Sequence, residues 1–556
     1  MTIEMSSKDM LTLMTKITAD LQNEDGLYYR VKNRKARADA TTSEKKLITV
    51  ALADMRAVDM RPFYIVKGTG FKNYTQTVLN IGVNSKVGML VDNILPDPTT
   101  ISKNVRMRSN AGREILIAAL KSHLAEGIWI GDTTDISTDD INKVSFLSVT
   151  VHFINDKFTR HHRTLACSLF PGPHHGSEVI VVRDRGSNMH SADGIPSLYG
   201  WIPCCDHIIS TILTTIMDKR IRMVEGKKSA PLYELYHLAL ELFETIDQVK
   251  ALVTYVKQAN LQDEIAKTLK QENATRWNPA PLCMINVDEG LPELTETLRA
   301  RGRGLVSKVS KIDHELLKEF IAFLVHFQET FLALEMFVEP TIHRVLDRVV
   351  AADITTKEKD GTITTLKKDS PAVIALKPKF AKLIREKFIW SDIHVIAALL
   401  NRKTKCSLDK FGIDSADIEL GQKNLGNMMK DHMIGFGIGK RSFSSESDNT
   451  IEEKTLADDV QLDFSLRTEL NNYICHRCSV DESTLLSKYG VLFWWKIHQN
   501  EFLVLSRLVR SMLAIPASSA KSESNFSDAG NTMSKKRNLL HPFKLDDLMF
   551  LRSMLM

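Results

Sequence analysis

Cysteine is scarce in this chain, and long apolar runs are missing. Seven cysteines in 556 residues are too few for a disulfide framework, so we expect a reducing compartment, the cytosol or the nucleus. The first residues lack the continuous apolar stretch of a signal peptide. The longest apolar runs, such as residues 320–327, are far shorter than the ~18 residues that a membrane span needs. The sequence therefore predicts a protein without a membrane partner.

A strong excess of one charge is also absent. Lys and Arg number 73 against 68 Asp and Glu, which leaves a net charge of +5. This balance neither requires nor excludes a nucleic-acid partner, so any basic surface must be local. Residues 1–45 form a polar tail with a basic cluster at Lys32, Arg34, Lys35 and Arg37. The cluster fits a nuclear-import or phosphate-contacting patch and equally a solvated charge run.

Helical spacing dominates residues 46–127. The spacing predicts a helix from about Ser43 to Met60, ending near Arg61-Pro62. A Pro-rich break at 95–99 precedes a further predicted helix. Its expected core-facing residues are Ile115, Ile117, Leu120 and Leu124.

The pattern changes to β-strands after residue 128. Apolar residues alternate with polar ones from Leu147 to Phe153, which is the period of a half-buried strand. Residues 158–169 predict the returning strand. Residues 179–182 (VIVV) are β-branched or apolar throughout, which is typical of a strand buried on both faces. Residues 128–210 therefore predict the start of an α/β domain with three antiparallel strands and one parallel strand.

Most of the remaining chain predicts helices. Residues 205–350 are almost wholly helical in pattern, whereas 352–372 and 401–460 are polar and predict a loop and a linker or mobile loop. Pro542 precedes a final helix, and another helix is expected from Ser519 to a cap at Gly530. The predicted core stripes of the C-terminal helices are Phe502, Leu505, Val509 and Met512, and then Leu545, Leu548 and Met549.

Two carboxylates are expected at neighbouring strand ends. Asp135 follows the first predicted strand, and Asp184 follows the buried one. Carboxylates held together repel unless a cation lies between them, and such oxygen ligands suit Mg²⁺ or Mn²⁺. A pair of these ions could clamp the oxygens of a phosphoryl transfer, but periodicity does not locate the third carboxylate that this needs. Solvated caps at the strand ends are the alternative.

Several motifs in order carry a resemblance to a known family. They are the C-terminal run 513–530, Trp494-Trp495 before it, and the segments 61–63, 68–72, 95–100, 133–139, 183–188, 204–207 and 275–278. Together they make residues 45–556 resemble the hAT-family DNA transposases of the Hermes/hobo branch. Any one of these motifs alone would be weak.

The resemblance implies a fold and an activity. The implied fold is an α/β ribonuclease-H-like core interrupted by a large all-α insertion, predominantly helical overall. Residues 128–210 and 491–556 would form the core, and 211–490 the insertion. The implied activity is metal-dependent DNA strand cleavage and transfer at transposon ends in the nucleus. Its catalytic triad would be Asp135, Asp184 and Glu523, holding Mg²⁺ or Mn²⁺ but not zinc. Self-association through the C-terminal region is also implied.

The resemblance further suggests DNA-contacting residues. Trp277 matches a tryptophan that stacks on an extruded base, and Arg276 would meet a phosphate. Without the resemblance, ordinary helix packing explains this pair better. Cys204 and His207 fit a C-x-x-H element near the active site, which stabilises it or contacts DNA.

Other cysteine and histidine pairs predict no metal site. Cys475 and Cys478 have no second pair nearby and are interpreted as reduced thiols rather than zinc ligands. The pairs His161-His162 and His174-His175 lack helical metal spacing and are expected at the surface.

Three departures from the family pattern favour a second hypothesis. Family members usually open with a zinc-binding BED finger, whereas residues 1–45 contain no cysteine. Only nine residues, 170–178, join the third strand to the fourth, too few for the usual crossover helix, so we expect a distorted sheet. Ile136 and Ser524 replace a usual tryptophan and arginine. The alternative is a catalytically impaired or domesticated relic that acts as a dimerising DNA-binding protein.

Overall fold

A computed structural model describes most of the chain. The described residues are 41–59, 63–84, 90–139, 144–169, 179–183, 201–217, 223–224, 227–228, 239–269, 279–336, 338–346, 348, 369–388, 391–435, 451–476, 480–532 and 542–555. Asp184, Arg276, Trp277, Cys478, the basic cluster at 32–37 and the pair His174-His175 lie outside them. The chain divides into two compact units, one of residues 1–111 with 555–556 and one of residues 112–554.

The first unit is helical in its described part. It contains α1 (Thr42–Asp59), α2 (Thr69–Asn84) and the beginning of α3 (Pro98–Ala125), with short 3₁₀ turns at Phe63–Lys67 and Val91–Asn93. The predicted helix 43–60 is confirmed. Many apolar side chains of this unit are exposed, and Leu47 keeps 71% of its surface.

A five-stranded sheet is the centre of the second unit. Its strands are β1 (Ile130–Asp139), β2 (Val144–Ile154), β3 (Arg160–Leu169), β4 (Val179–Arg183) and β5 (Trp201–Pro203). Their order is β3-β2-β1-β4-β5. The pairs β1–β2 and β2–β3 are antiparallel, whereas β1–β4 and β4–β5 are parallel. The predicted three antiparallel strands and one parallel strand are confirmed. A two-stranded ribbon pairs β6 (Met223–Val224) with β7 (Lys227–Lys228).

The predicted distortion of the sheet is not seen in the β1–β4 pairing, whereas the β2–β3 pairing shifts register between Val149 and Thr150. β4 runs in register beside β1 from the pair Ile130–Val179 to the pair Thr133–Val182. By the strand register, Leu169 and Val179 lie three strand spacings apart across the sheet and seven residues apart along the strands. This separation is about 27 Å. Ten residue steps of extended chain reach about 33 Å, so nine connecting residues suffice without a helix.

The remaining helices follow the sheet strands along the chain. They are α4 (Cys205–Met217), α5 (Leu240–Gln258), α6 (Pro279–Arg301), α7 (Ser307–Ser310), α8 (His314–Leu334), α9 (Pro371–Lys387), α10 (Asp392–Leu399), α11 (Ser415–Gly435), α12 (Ile451–Cys475), α13 (Val480–His498), α14 (Leu503–Met512), α15 (Ala520–Thr532) and α16 (Pro542–Leu555). One large apolar core joins α4 through α14 to Ile154, Val182 and Ile202 of the sheet. No helix among the described residues is long and apolar enough to cross a membrane.

Both faces of the sheet are covered. On one face, Leu116 and Leu120 of α3 pack with Ile130 and Phe153. The opposite face carries α15, whose Phe526 and Ala529 pack with Phe146. Helix α16 protects the edge strand β3, because the N–H groups of Thr164 and Cys167 donate to Ser553 and Asp546 side chains. The prediction that the C-terminal helices pack with residues 128–210 is confirmed.

Several sequence predictions were wrong in detail. Residues 401–460 are not a linker in their described part, because α11 and the beginning of α12 occupy it. Ile117 does not face the core, since α3 turns Leu116 and Leu120 inward instead. Leu548 is also exposed, although Leu545 and Met549 are buried as predicted.

Candidate active site

The first predicted carboxylate lies inside a strand. Asp135 is part of β1 rather than following it, and its Oδ1 accepts a hydrogen bond from the Ile136 N–H at 2.9 Å. Side chains alternate along a strand, so Asp135 shares a face with Thr133. In the ladder, Asp135 lies opposite Ser148 of β2. These neighbours define the face of the sheet from which the carboxylate projects.

Helix α15 docks on that same face through polar contacts. The Ser522 hydroxyl donates to the Thr133 carbonyl at 2.9 Å, and the two hydroxyls are 2.8 Å apart. One turn later, the Asn525 amide donates to the hydroxyls of Ser148 (3.0 Å) and Thr150 (3.1 Å). All five side chains are buried. The helix is therefore fixed over β1 and β2 in one orientation.

Glu523 projects from α15 towards the parallel side of the sheet. Its Oε1 lies 3.6 Å from Nδ1 of His207, in the first turn of α4. Helix α4 follows β5 directly, so His207 lies at the carboxyl end of that strand. Both side chains are partly exposed. The structure therefore brings together Glu523 and His207, two of the residues predicted for the site.

Cys204 connects the beginnings of α4 and α15. Its thiol sulfur accepts the Ser519 N–H at 3.3 Å, and the neighbouring Cys205 N–H donates to Ala517 at 3.0 Å. Burial raises the pKa of Cys204, but the hydrogen bond and charge of His207 outweigh burial and lower it. Cys204 is completely buried. It therefore does not present a surface to DNA, which corrects one of the two roles predicted for it.

The strand register bears on the second predicted carboxylate. Each β1–β4 pair has the same sequence separation as Asp135 and Asp184. The last pair of this ladder, Thr133 with Val182, comes two residues before these aspartates. Asp184 itself lies outside the described residues, although it follows Arg183 directly. The two DNA-contacting candidates Arg276 and Trp277 also lie outside them.

Two buried carboxyl groups were not predicted from the sequence. Burial raises the pKa of Asp206 well above its usual range, and the charges of Cys204 and Glu335 add to this effect. Asp132, which projects from the face of β1 opposite Asp135, has a pKa raised to about 7 by burial. Neither has a sequence signal, because an isolated Asp in a helix or strand gives no sign of its burial.

The predicted surface position of one histidine pair was wrong. His161 and His162 lie in β3 and are half-buried. The His161 ring stacks on Phe153 with centroids 5.1 Å apart, and His162 lies beside His152. Within the described ranges, no group of three or more His, Cys, Asp or Glu residues is arranged to hold a metal ion. The predicted trio is not tested by this, since Asp184 is outside those ranges.

Two segments of the chain match described families. Residues 469–555 match the hAT family C-terminal dimerisation region. Residues 40–100 match the Hermes transposase DNA-binding domain. The first segment contains α15 and Glu523, whereas the second contains α1 and α2.

A full-length relative extends the similarity beyond these segments. The chain is 22% identical over 536 residues to the transposable element Hobo transposase of Drosophila melanogaster. The alignment covers 86% of this chain and 78% of the relative. Two matched family segments in the expected order, together with this relative, support an hAT-family transposase.

Proposed function

We propose that this protein cleaves DNA strands at transposon ends and joins them to target DNA, using Asp135, Asp184 and Glu523 to hold Mg²⁺ or Mn²⁺. One observation carries the proposal. Ser522 and Asn525 fix α15 on the face of β1 from which Asp135 projects. The neighbouring residue, Glu523, is thereby held beside the parallel strands, where β4 leads into Asp184.

The sheet topology supports a ribonuclease-H-like core. Three antiparallel strands followed by two parallel ones, in the order β3-β2-β1-β4-β5, match the sheet that the family resemblance implies. The chain leaves this sheet after α4 and returns at α14 and α15. Arg510 of α14 donates to the Ile154 carbonyl, and Ser511 accepts the Trp129 N–H. The helices between them fit the expected insertion.

The donor set fits hard divalent cations. Carboxylate oxygens are the ligands that Mg²⁺ and Mn²⁺ prefer, and such ions would activate the attacking hydroxyl and stabilise the leaving oxygen. His207, at the carboxyl end of β5, places its Nδ1 3.6 Å from the Glu523 carboxylate. Cys204 and Ser519 fix the spacing of the two helices, so positioning is supplied before any ligand binds.

DNA contacts are assigned to both units. The Hermes-type domain exposes Lys45, Lys46 and Lys72, which can neutralise phosphates. We assign base stacking to Trp277, a phosphate contact to Arg276 and a contact near the cleaved bond to His207. Because its substrate would be DNA, we also propose that the protein acts in the nucleus.

Strand cleavage by single variants tests the proposal. Duplex DNA carrying the element's terminal sequences is incubated with Mg²⁺ or Mn²⁺, and nicks are counted. We expect Asp135→Asn, Asp184→Asn and Glu523→Gln each to lower nicking by about 100-fold or more. The matched control Asp156→Asn, in the exposed β2–β3 turn, should nick like the parent. Equal nicking by parent and Asp184→Asn would refute the triad.

The same assay decides the alternative of a catalytically impaired relic. Ile136 and Ser524 stand where the family resemblance implies a tryptophan and an arginine, and this departure favours the alternative. A parent chain that binds terminal DNA and self-associates, but nicks it no faster than Glu523→Gln, would establish the relic. Nicking above that level would exclude it.

A further inference from the structure

A small cavity lies beside the first turn of α15, and the proposed activity does not use it. Residues from β2, β3, the end of α8 and the segment before α15 line it. The cavity with its open mouth measures about 200 Å³, but its interior admits about one oxygen atom or water molecule. Lys521 borders it, whereas neither Glu523 nor His207 does. The cavity is therefore separate from the candidate active site.

Two buried nitrogen atoms on its lining side chains have no hydrogen-bond partner among the described residues. They are Nε of Arg160 and Nδ1 of His152. Arg160 keeps only 7% of its surface exposed and His152 only 3%, so bulk water does not solvate these atoms. Buried polar groups in native proteins are almost always paired. The two orphaned nitrogens therefore indicate that the cavity holds a ligand.

The charges around the cavity are mostly positive. Arg160 and Lys521 both line it, and Glu335 is the only acidic residue among its described lining residues. Burial lowers the pKa of His152 well below its usual value, and the positive charges of Arg160 and Lys521 add to this effect. The potential at the His152 ring is thus positive. A negatively charged occupant would relieve the repulsion among these groups.

The two helix ends at the cavity are not equivalent for an anion. Ala520 and Lys521 begin α15, and the beginning of a helix carries a partial positive charge. The end of α8 would repel an anion, but Arg160 neutralises it. The Arg160 Nη1 donates to the carbonyls of Met336 (3.3 Å) and Glu339 (2.6 Å), which follow that helix. Its Nε is left for the cavity.

The lining side chains supply donors rather than acceptors. The Thr341 Oγ1 accepts the Ala517 N–H at 2.9 Å, so its hydroxyl proton is directed elsewhere. The Nε2 of His152 lies 3.2 Å from the Thr133 hydroxyl. When Nε2 accepts from that hydroxyl, Nδ1 carries the proton and is a third donor beside Arg160 and Thr341. An anionic oxygen suits three donors, whereas a water molecule would bring protons that also need acceptors.

We propose that this cavity binds an oxygen of a phosphate group, with Arg160, His152 and Thr341 as donors and Lys521 as an additional positive charge. The interior admits one oxygen, so the rest of the group lies at the open mouth. The phosphate belongs either to a DNA backbone or to a free phosphate ion, because both present the same oxygen. The inference does not depend on the metal triad, and only its DNA source rests on the proposed function.

Calorimetric titration of the full chain with sodium phosphate, at constant ionic strength and without divalent ions, tests the free ion. We expect saturable binding by the parent, weakened about tenfold in Lys521→Met. The matched control Lys544→Met removes an exposed lysine of α16 and should bind like the parent. Circular dichroism confirms that each variant is folded.

A matched pair at His152 tests whether the anion enters the cavity. His152→Gln places an amide near the Nε2 position and removes the Nδ1 donor, so we expect binding about tenfold weaker. His152→Asn keeps a donor near the Nδ1 position and should bind more tightly than His152→Gln. Weaker binding in Lys521→Met alone, with both His152 variants like the parent, would place the anion on the surface and overturn the proposal.

Fluorescence anisotropy with labelled duplex DNA, also without divalent ions, tests the second source. Lys521→Met should weaken DNA binding and lower the slope of log affinity against log salt by about one, relative to Lys544→Met. An effect on DNA alone assigns the cavity to a backbone phosphate, and an effect on phosphate alone assigns it to the free ion. Neither assay requires strand cleavage, so a failed triad leaves both readings intact. Phosphate and DNA affinities unchanged in Lys521→Met and His152→Gln would overturn the proposal and leave water as the occupant.

Discussion

Ser522 donates a hydrogen bond to the Thr133 carbonyl at 2.9 Å, across 389 positions of sequence. This contact fixes where the returning chain meets the first strand of the sheet. Both residues are buried, and each lies within two positions of a proposed metal ligand, Glu523 or Asp135. The geometry of the candidate site therefore depends on polar contacts made beside the carboxylates.

Asn525→Ala should destabilise the protein by about 1–3 kcal/mol, because it leaves the buried hydroxyls of Ser148 and Thr150 without their donor. The free energy of unfolding from urea titration measures this loss. Asn500→Ala, at an exposed position, is the control and should change stability little. Equal stability of the two variants would mean that Asn525 does not hold α15 on the sheet.

Gly131→Ala should cost about 1–3 kcal/mol of stability, because the new methyl group has no space. A Cβ at this position would lie 2.9 Å from the Ile515 Cα and 3.2 Å from the Ala514 carbonyl oxygen, and both of these are backbone atoms. Thermal unfolding of this variant is compared with that of Gly304→Ala. A Cβ at Gly304 meets nothing within 4 Å, so this control should be neutral or stabilising. An unchanged melting temperature for Gly131→Ala would contradict the close approach of the backbone at residues 514–515 to β1.

Stability should fall as the pH drops from about 6.5 towards 4, partly because two histidines of β3 are neutral when the protein is folded. Burial lowers the pKa of His161 to about 4, and burial with nearby cations lowers that of His162 to about 3. The unfolded chain then binds more protons below its ordinary histidine pKa, which favours unfolding. Asp132 has the opposite effect on stability. Its pKa is raised to about 7 in the folded protein, so the folded chain binds its proton first and is stabilised as the pH falls.

Single variants separate these contributions to the pH dependence. His162→Asn should lose less stability than the parent between pH 7.5 and 5.0, measured by urea unfolding at each pH. His326→Asn, at an exposed position, is the control and should behave like the parent. A parent-like pH dependence for His162→Asn would show that His162 is protonated in the folded protein.

Local patterns predicted the strands but not what covers them. The alternation from Leu147 to Phe153 located β2 correctly, yet its polar residues Ser148, Thr150 and His152 are buried rather than exposed. An alternating pattern is the same whether the polar face meets water or a polar helix. The cover is α15, which comes more than 350 residues later, so no local signal could predict it. The helical spacing of Ser522 and Asn525 would have indicated a shared face.

Glycine accounts for the wrong prediction at 401–460. Gly421 and Gly426 favour a linker by composition, but both lie within α11. A Cβ at Gly421 would come within 2.7 Å of the Val395 side chain, so glycine permits close packing of α10 on α11. Composition does not distinguish this use of glycine from flexibility. The sequence predicted the candidate site better than the helices around it, because the family motifs identified Glu523 and His207. It did not predict that Asp206, which lies between Cys204 and His207, is buried.

Iron-directed cleavage of the protein backbone tests the central claim most directly, without requiring catalysis. Fe²⁺ is bound in place of Mg²⁺, ascorbate and peroxide generate hydroxyl radicals at the ion, and mass spectrometry maps the cuts. We predict cuts near residues 135, 184 and 523 together, suppressed by excess Mg²⁺ and lost in Asp135→Asn. Cuts missing from any one of these segments, or unaffected by Mg²⁺, would contradict a shared divalent site.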